Sequence, residues 1–216
     1  MKTPFTRDQF LEIFKQYNET VFPSQIFLLI LALWIVYLVF RPKKISDKWI
    51  NGILAFFWLW MGIIYHLVFF TTINKAAFLV GIVFIIQGIL IFLLGVYKNR
   101  LAYRFQPDIY GWTGMILIVF ALLIYPLLGY AFDHIYPSSP TFGLPCPTTI
   151  FTFGVLLMTS KKCPVGILII PFLWSMVGFS AAFHFGIKED TGLLIASLIA
   201  LPMIIMKNNA LRRITT

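Results

Sequence analysis

Cysteine, histidine and carboxylate side chains could ligate a soft metal or move a proton, and several gather around one proline-rich stretch. Cys146 sits in Pro137–Thr149, which reads Pro-Ser-Ser-Pro-Thr-Phe-Gly-Leu-Pro-Cys-Pro-Thr-Thr. Four prolines keep this stretch from forming regular helix, since each lacks an N–H and clashes with the preceding turn. Pro147 suits the first position of a helix, which puts Cys146 at the N-cap. A thiol there faces free N–H groups and the positive end of the helix dipole, a setting for thiolate or for a soft metal ion. The alternative is a small residue packed in a tight turn. The same helix end, with the Thr148 and Thr149 hydroxyls beside it, is a candidate anion site unless those hydroxyls or water satisfy the N–H groups.

Further ionisable residues fall on the same side of the expected membrane. His66 lies near the end of an apolar segment, sharing a helix face with Trp58 and Gly62 at four-residue spacing. Asp133 and His134 begin the long loop, and His184, Glu189 and Asp190 close a later segment. Together with Cys146 they could bind a metal or relay protons, or they could be scattered interfacial groups. The metal question stays open, because no His-x-x-x-His spacing is present. Gln87, midway along a span, is a candidate ligand contact or a helix-to-helix hydrogen bond. Cys163 also precedes a proline, but at the far end of the same segment. A helix rise of about 1.5 Å per residue separates it too far from Cys146 for a disulfide. The chain has no phosphate loop, no Ser-His-Asp grouping and no paired intramembrane carboxylates. An enzyme is not expected, and no cofactor is implied.

The elements that must position these residues are membrane helices. Mean hydropathy is +0.89. Only 12% of the residues are charged, against about 25% in soluble domains. Residues 1–22 have the amphipathic spacing of an interfacial helix, opened by a Thr6–Gln9 capping box. Seven apolar segments follow, at Ser24–Phe40, Trp49–Ile73, Ala76–Tyr97, Tyr110–Phe132, Phe142–Ser160, Val165–Gly186 and Thr191–Met206. Most approach the ~20 residues that a span requires; the fifth does so only if Phe142–Leu144 also lie at membrane depth. The fold class is therefore all-α: an interfacial helix over 1–22, a seven-helix transmembrane domain over 23–208, and a tail over 209–216.

Charge supports the count. Seven spans place twelve of the seventeen basic residues, from Arg41 to Arg213, on one side. By the positive-inside bias that side is cytoplasmic, with the N-terminus outside. The net charge of +9 is thus ascribed to loops facing the cytoplasm, not to nucleic-acid binding. Asn18-Glu19-Thr20 matches a glycosylation sequon, a short pattern read here as accidental. Ala77, Gly81, Gly88 and Gly95, and Ser175, Gly178 and Ala182, mark close helix packing. Pro126, Pro171 and Pro202 each remove a backbone hydrogen bond within a span.

Trp58–His66, Trp-Leu-Trp-Met-Gly-Ile-Ile-Tyr-His, and Phe142–Gly154, Phe-Gly-Leu-Pro-Cys-Pro-Thr-Thr-Ile-Phe-Thr-Phe-Gly, resemble segments of a bacterial family of small polytopic membrane proteins of unknown function. Tyr17-Asn18 before Phe22-Pro23, and Glu189–Gly192, fit the same resemblance, which extends over nearly the whole chain. It implies a membrane fold and no mechanism. Members are sometimes labelled permeases, although 216 residues is about half of a full major-facilitator transporter. The expected function is a permease-like transporter in a bacterial cytoplasmic membrane, with an outward site for a small solute or ion at Pro137–Thr149. The alternative is a sensor or assembly protein that binds a ligand or a partner membrane protein, or a second copy of itself, and moves nothing. The lipid bilayer is the one partner that both readings share.

Overall fold

Helix punctuation in the sequence sets most of the boundaries. In a computed structural model describing residues 4–215, the chain forms eight helices: α1 (Arg7–Val21), α2 (Ser24–Phe40), α3 (Ser46–Thr72), α4 (Ala77–Tyr97), α5 (Ile109–Ala131), α6 (Pro145–Leu157), α7 (Gly166–Phe185) and α8 (Thr191–Thr215). A 3-10 turn, Lys188–Asp190, leads into α8. Residues 1–3 of the expected first helix, and Thr216, lie outside the described residues. Thr6 caps α1 through the expected reciprocal pair: Gln9 N–H donates to Thr6 Oγ1, and Thr6 N–H to Gln9 Oε1. Asp108 caps α5 by accepting from Gly111 N–H at 2.8 Å.

Five helices are long and apolar enough to cross a membrane: α3, α4, α5, α7, and α8 with its entry turn. Their outward faces leave large apolar side chains uncovered, including Leu79, Ile116 and Leu173. A surface of that kind is at home in hydrocarbon. The other two expected spans differ. α2 has 17 residues and joins α1 at a bend of 85°. α6 has 13 residues, about 20 Å of helix against a hydrocarbon core of about 30 Å.

The expected fifth segment therefore contracts at both ends, because its flanks are held by tertiary pairings. Phe142 and Leu144 form a tight bridge around Gly143, which takes φ +100°. At the other end Thr159 pairs with Tyr103. Every residue of α6 except Cys146 is buried. A helix apolar on all sides belongs at the centre of a bundle, and α5, α7 and α8 enclose it.

The expected seventh segment, by contrast, is longer than its apolar run. α8 continues to Thr215, so residues 209–215 of the expected tail are helical. Its final turns are anchored by Asn208, whose amide accepts from Cys163 N–H at 2.8 Å and donates to Cys163 C=O at 2.7 Å. Lys207 Nζ donates to Leu157 C=O at 3.0 Å.

The two ends of the bundle are distinct. At one end the basic loops meet: Phe105 N–H bonds Val39 C=O, Ser160 N–H bonds Ala102 C=O, and Lys161 Nζ reaches Asn99 C=O. At the other end α1 packs across the helix termini. Its apolar face is covered by the chain itself, with Phe10 against Phe70 at 5.7 Å and Phe185 at 5.3 Å, and Phe5, just before the helix, stacks on Phe185 at 4.7 Å.

Glycines set the closest helix approaches. A Cβ at Gly154 of α6 would lie 2.7 Å from Gly114 C=O of α5, and one at Gly62 of α3 would lie 2.8 Å from Gly81 C=O of α4. Three helices widen into π turns, at Met61–Phe69, Phe92–Tyr97 and Phe120–Ile124. The last runs up to Pro126, whose missing N–H breaks the regular ladder there.

Candidate functional site

Asn18, near the C-terminal end of α1, organises the proline-rich loop. Its Nδ2 donates to Pro137 C=O at 2.6 Å and to Ser139 C=O at 2.8 Å. Its Oδ1 accepts from Gln25 Nε2 at 2.5 Å and from Thr141 Oγ1 at 2.7 Å. A fully buried Asn with this many bonds holds a loop that has few N–H groups of its own. The same burial removes it as a glycosylation acceptor. One residue earlier, Tyr17 Oη accepts from Trp60 Nε1 at 2.7 Å and lies 3.5 Å from Gly143 C=O.

Beneath this strap lies a partly open cavity of about 360 Å³. Its walls are chiefly aromatic: Phe5, Phe10 and Phe14 from the first segment, Tyr65 and Phe70 from α3, and Phe185 from α7. The polar groups that reach it are few. Cys146, Asp190, Trp174 and His184 are the principal ones. The π turn of α3 carries Tyr65 to the cavity and His66 behind it. π turns in otherwise regular helices occur frequently at functional sites.

Asp190 lines this cavity, is 2% exposed, and accepts a hydrogen bond from Tyr125 Oη. Cys146 Sγ interacts with Asp190 and faces the Trp174 indole. Trp174 Nε1 is buried and makes no hydrogen bond. Glu189, adjacent in sequence, points elsewhere. Its Oε1 meets His134 Nδ1 at 2.8 Å, and His134 Nε2 is approached by Arg7 Nη2 at 3.4 Å. An imidazole protonated at Nδ1 alone satisfies both contacts, donating to the carboxylate and accepting from the guanidinium. Glu189 is thus linked to a cation through His134. Among the described residues Asp190 forms no ion pair.

The expected constellation is therefore brought together in part. Cys146, His184 and Asp190 share the cavity, with His184 exposed at its rim and its Nδ1 on Ser180 C=O at 2.8 Å. His134 and Glu189 form the adjoining pair. His66 is fully buried, with neither ring nitrogen hydrogen-bonded, packed against Phe84 at 4.6 Å and Trp174 at 5.2 Å. It backs the cavity wall and does not line it. Asp133 is an exposed turn residue with φ +65° and stands apart.

One expectation is corrected, and four further candidates lie away from the cavity. α6 begins at Pro145, so Leu144 is the N-cap and Cys146 lies inside the first turn. Both prolines fit, because the first turn of a helix has no partners for its N–H groups. Thr148 and Thr149 are not part of the cavity lining: Thr148 Oγ1 accepts from Gly143 N–H at 3.0 Å, and Thr149 Oγ1 is buried without a partner. Gln87 makes the helix-to-helix hydrogen bond of its alternative reading, and Trp58 also bonds across helices. Trp58 Nε1 donates to Thr152 Oγ1 at 3.2 Å, and Gln87 Nε2 donates to Ile167 C=O at 2.7 Å.

Tyr65, Tyr125, Trp174 and Arg7 are the contributors that sequence reasoning missed. Trp174 and Tyr125 are polar-tipped aromatics within spans, which need a partner when buried, and that was the one signal available. No group of three or more His, Cys, Asp or Glu that could hold a metal occurs among the described residues. Cys163 lies at the opposite end of the bundle, buried, and both cysteines are free. Burial pushes the Cys163 thiol up to about 12, against an opposing pull from Lys207.

No curated protein and no solved structure matches this chain. Residues 7–215 match DUF6064, a family of unknown function, and the chain belongs to that family.

Proposed function

We propose that this protein is a seven-span membrane protein whose cavity binds a small, mostly apolar solute on the face opposite its basic loops. The cavity itself carries the reading. About 360 Å³ with aromatic walls and a few convergent polar groups is the usual form of a small-molecule site. Counting α2 and α6 as spans lets the chain alternate across the bilayer. The ends of α6 join loops at opposite ends of the bundle, through Tyr17 near Gly143 and through Ser160 on Ala102. The twelve basic residues then face the cytoplasm, with α1 and the cavity outside.

Binding without passage, as in a sensor or assembly protein, is supported better than transport. The cavity reaches only the first turn of α6, at Pro145–Pro147, and the remainder of that helix is packed on every side. A permease-like cycle is the second reading. It is favoured by the π-widened stretch of α3 that brings Tyr65 to the cavity, since such turns are frequent at functional sites. The two are separated in proteoliposomes by measuring equilibrium binding and tracer flux of the same solute. Saturable binding with no flux above protein-free vesicles supports the sensor reading, saturable flux supports the permease, and neither one would remove both.

A further inference from the structure

Asp190 is the buried carboxyl group that the fold does not match with a cation. Its neighbour Glu189 is linked to Arg7 through His134, at 2.8 and 3.4 Å. The groups near the Asp190 carboxylate are the Tyr125 and Tyr65 phenols, the Cys146 thiol, the Glu189 carboxylate and the start of α8, none of them a cation. The helix end offsets part of a negative charge but supplies no counter-ion. Among the described residues, neither Lys nor Arg lines the cavity into which Asp190 opens. Lys188, two residues away, is turned outward over the Phe132 ring at 5.1 Å.

The walls complete the pattern. Phe5, Phe10, Phe14, Tyr65, Phe70 and Trp174 line the same space. Aromatic faces attract a desolvated cation, and a buried carboxylate is stabilised by one. An anion would meet Asp190 with no basic side chain to oppose it. His184 does not change the sign of the site in its neutral form. With Nδ1 donating to Ser180 C=O, its Nε2 offers a lone pair that accepts from an N–H.

We infer that the cavity is a site for a lipophilic organic monocation: an ammonium group at Asp190, with an aromatic or branched apolar body among the phenylalanines. This rests on the solute-binding reading above and names the class of solute. The size limits the ligand to one small molecule, because 360 Å³ lies at the lower end of the usual range. Cys146 provides a reporter, since its thiol is in the cavity beside the carboxylate.

The test uses the full chain in lipid nanodiscs and three probes of one shape: 4-phenylbutylammonium, 4-phenylbutanol and 4-phenylbutyrate. Each is titrated for protection of Cys146 against a small neutral thiol reagent. The expected order is cation, then alcohol about tenfold weaker, with no protection by the carboxylate. Asp190→Asn should bring the cation down to the level of the alcohol. The wild-type series decides the matter even where that variant does not fold. Equal protection by alcohol and cation, or protection by the carboxylate, overturns the cation assignment and leaves solute binding intact. Protection by none of the three overturns both.

Discussion

At the scale of single residues, Asn18 shows how much a polar side chain can hold in an apolar protein. It bonds two carbonyls of a loop whose prolines cannot supply donors, and it collects Gln25 and Thr141 on its other edge. Asn18→Ala leaves those groups unpaired in a buried setting, at a cost of about 1–3 kcal/mol for each left without water. The expected outcome is a lower unfolding temperature and faster proteolysis within 137–144, both measurable on purified protein. Asn18→Asp should be no milder, since it turns the donors facing two carbonyls into an acceptor. Residue-scale features were legible where the cause is local. Thr6 and Gln9 form their box because both ends lie within one turn. Cys146 could be singled out by its prolines, whereas its partners Asp190 and Trp174 depend on which helices meet. His66 shows the reverse failure: an ionisable residue in a span promised function, and it is packed among Phe84, Trp174 and Tyr65.

Elements are held apart or together by what their contact surfaces lack. α6 sits against α5 because Gly154 and Gly114 oppose each other's carbonyls at 2.6–2.7 Å from an added Cβ. Gly154→Ala must push against backbone, which does not yield as a side chain would. Overpacking of this kind costs about 1–3 kcal/mol. A corresponding loss of stability in denaturant or thermal unfolding is the expected result; Gly166→Ala, where nothing lies within 4 Å, serves as the comparison. Element boundaries followed the sequence closely for α2, whose range is as read, and for α4, which starts one residue later. They departed where tertiary bonds compete with hydropathy. Phe142–Leu144 are apolar enough to extend α6, yet the turn at Gly143 and the bond from its N–H to Thr148 stop the helix short. Beyond Met206 the opposite happens, as Asn208 and Lys207 find carbonyl and amide partners and the helix runs on.

For the molecule as a whole, charge and burial divide the bundle into a basic end and a cavity end. The division was legible in the distribution of Lys and Arg, because that bias does not depend on how helices pack. The cavity was not, since it arises from six separate segments that are remote in sequence. Reporter fusions test the orientation: one fused after Thr216 should be active only as a cytoplasmic reporter, and one inserted at Ser138 only as an external one. The cavity is tested most directly by Cys146 itself, with Cys163 as the internal control. Intact cells or right-side-out vesicles are treated with a small membrane-impermeant methanethiosulfonate, and both cysteines are quantified by mass spectrometry. Cys146 should be modified from outside, and modification should be blocked by a bulky residue at the cavity wall, such as Val177→Trp. Cys163 should stay unmodified, because it is 1% exposed and lies at the opposite, basic end of the bundle, away from the cavity. A Cys146 that stays unmodified in the folded protein, or that reacts only when the basic side is exposed, would contradict an outward-opening site.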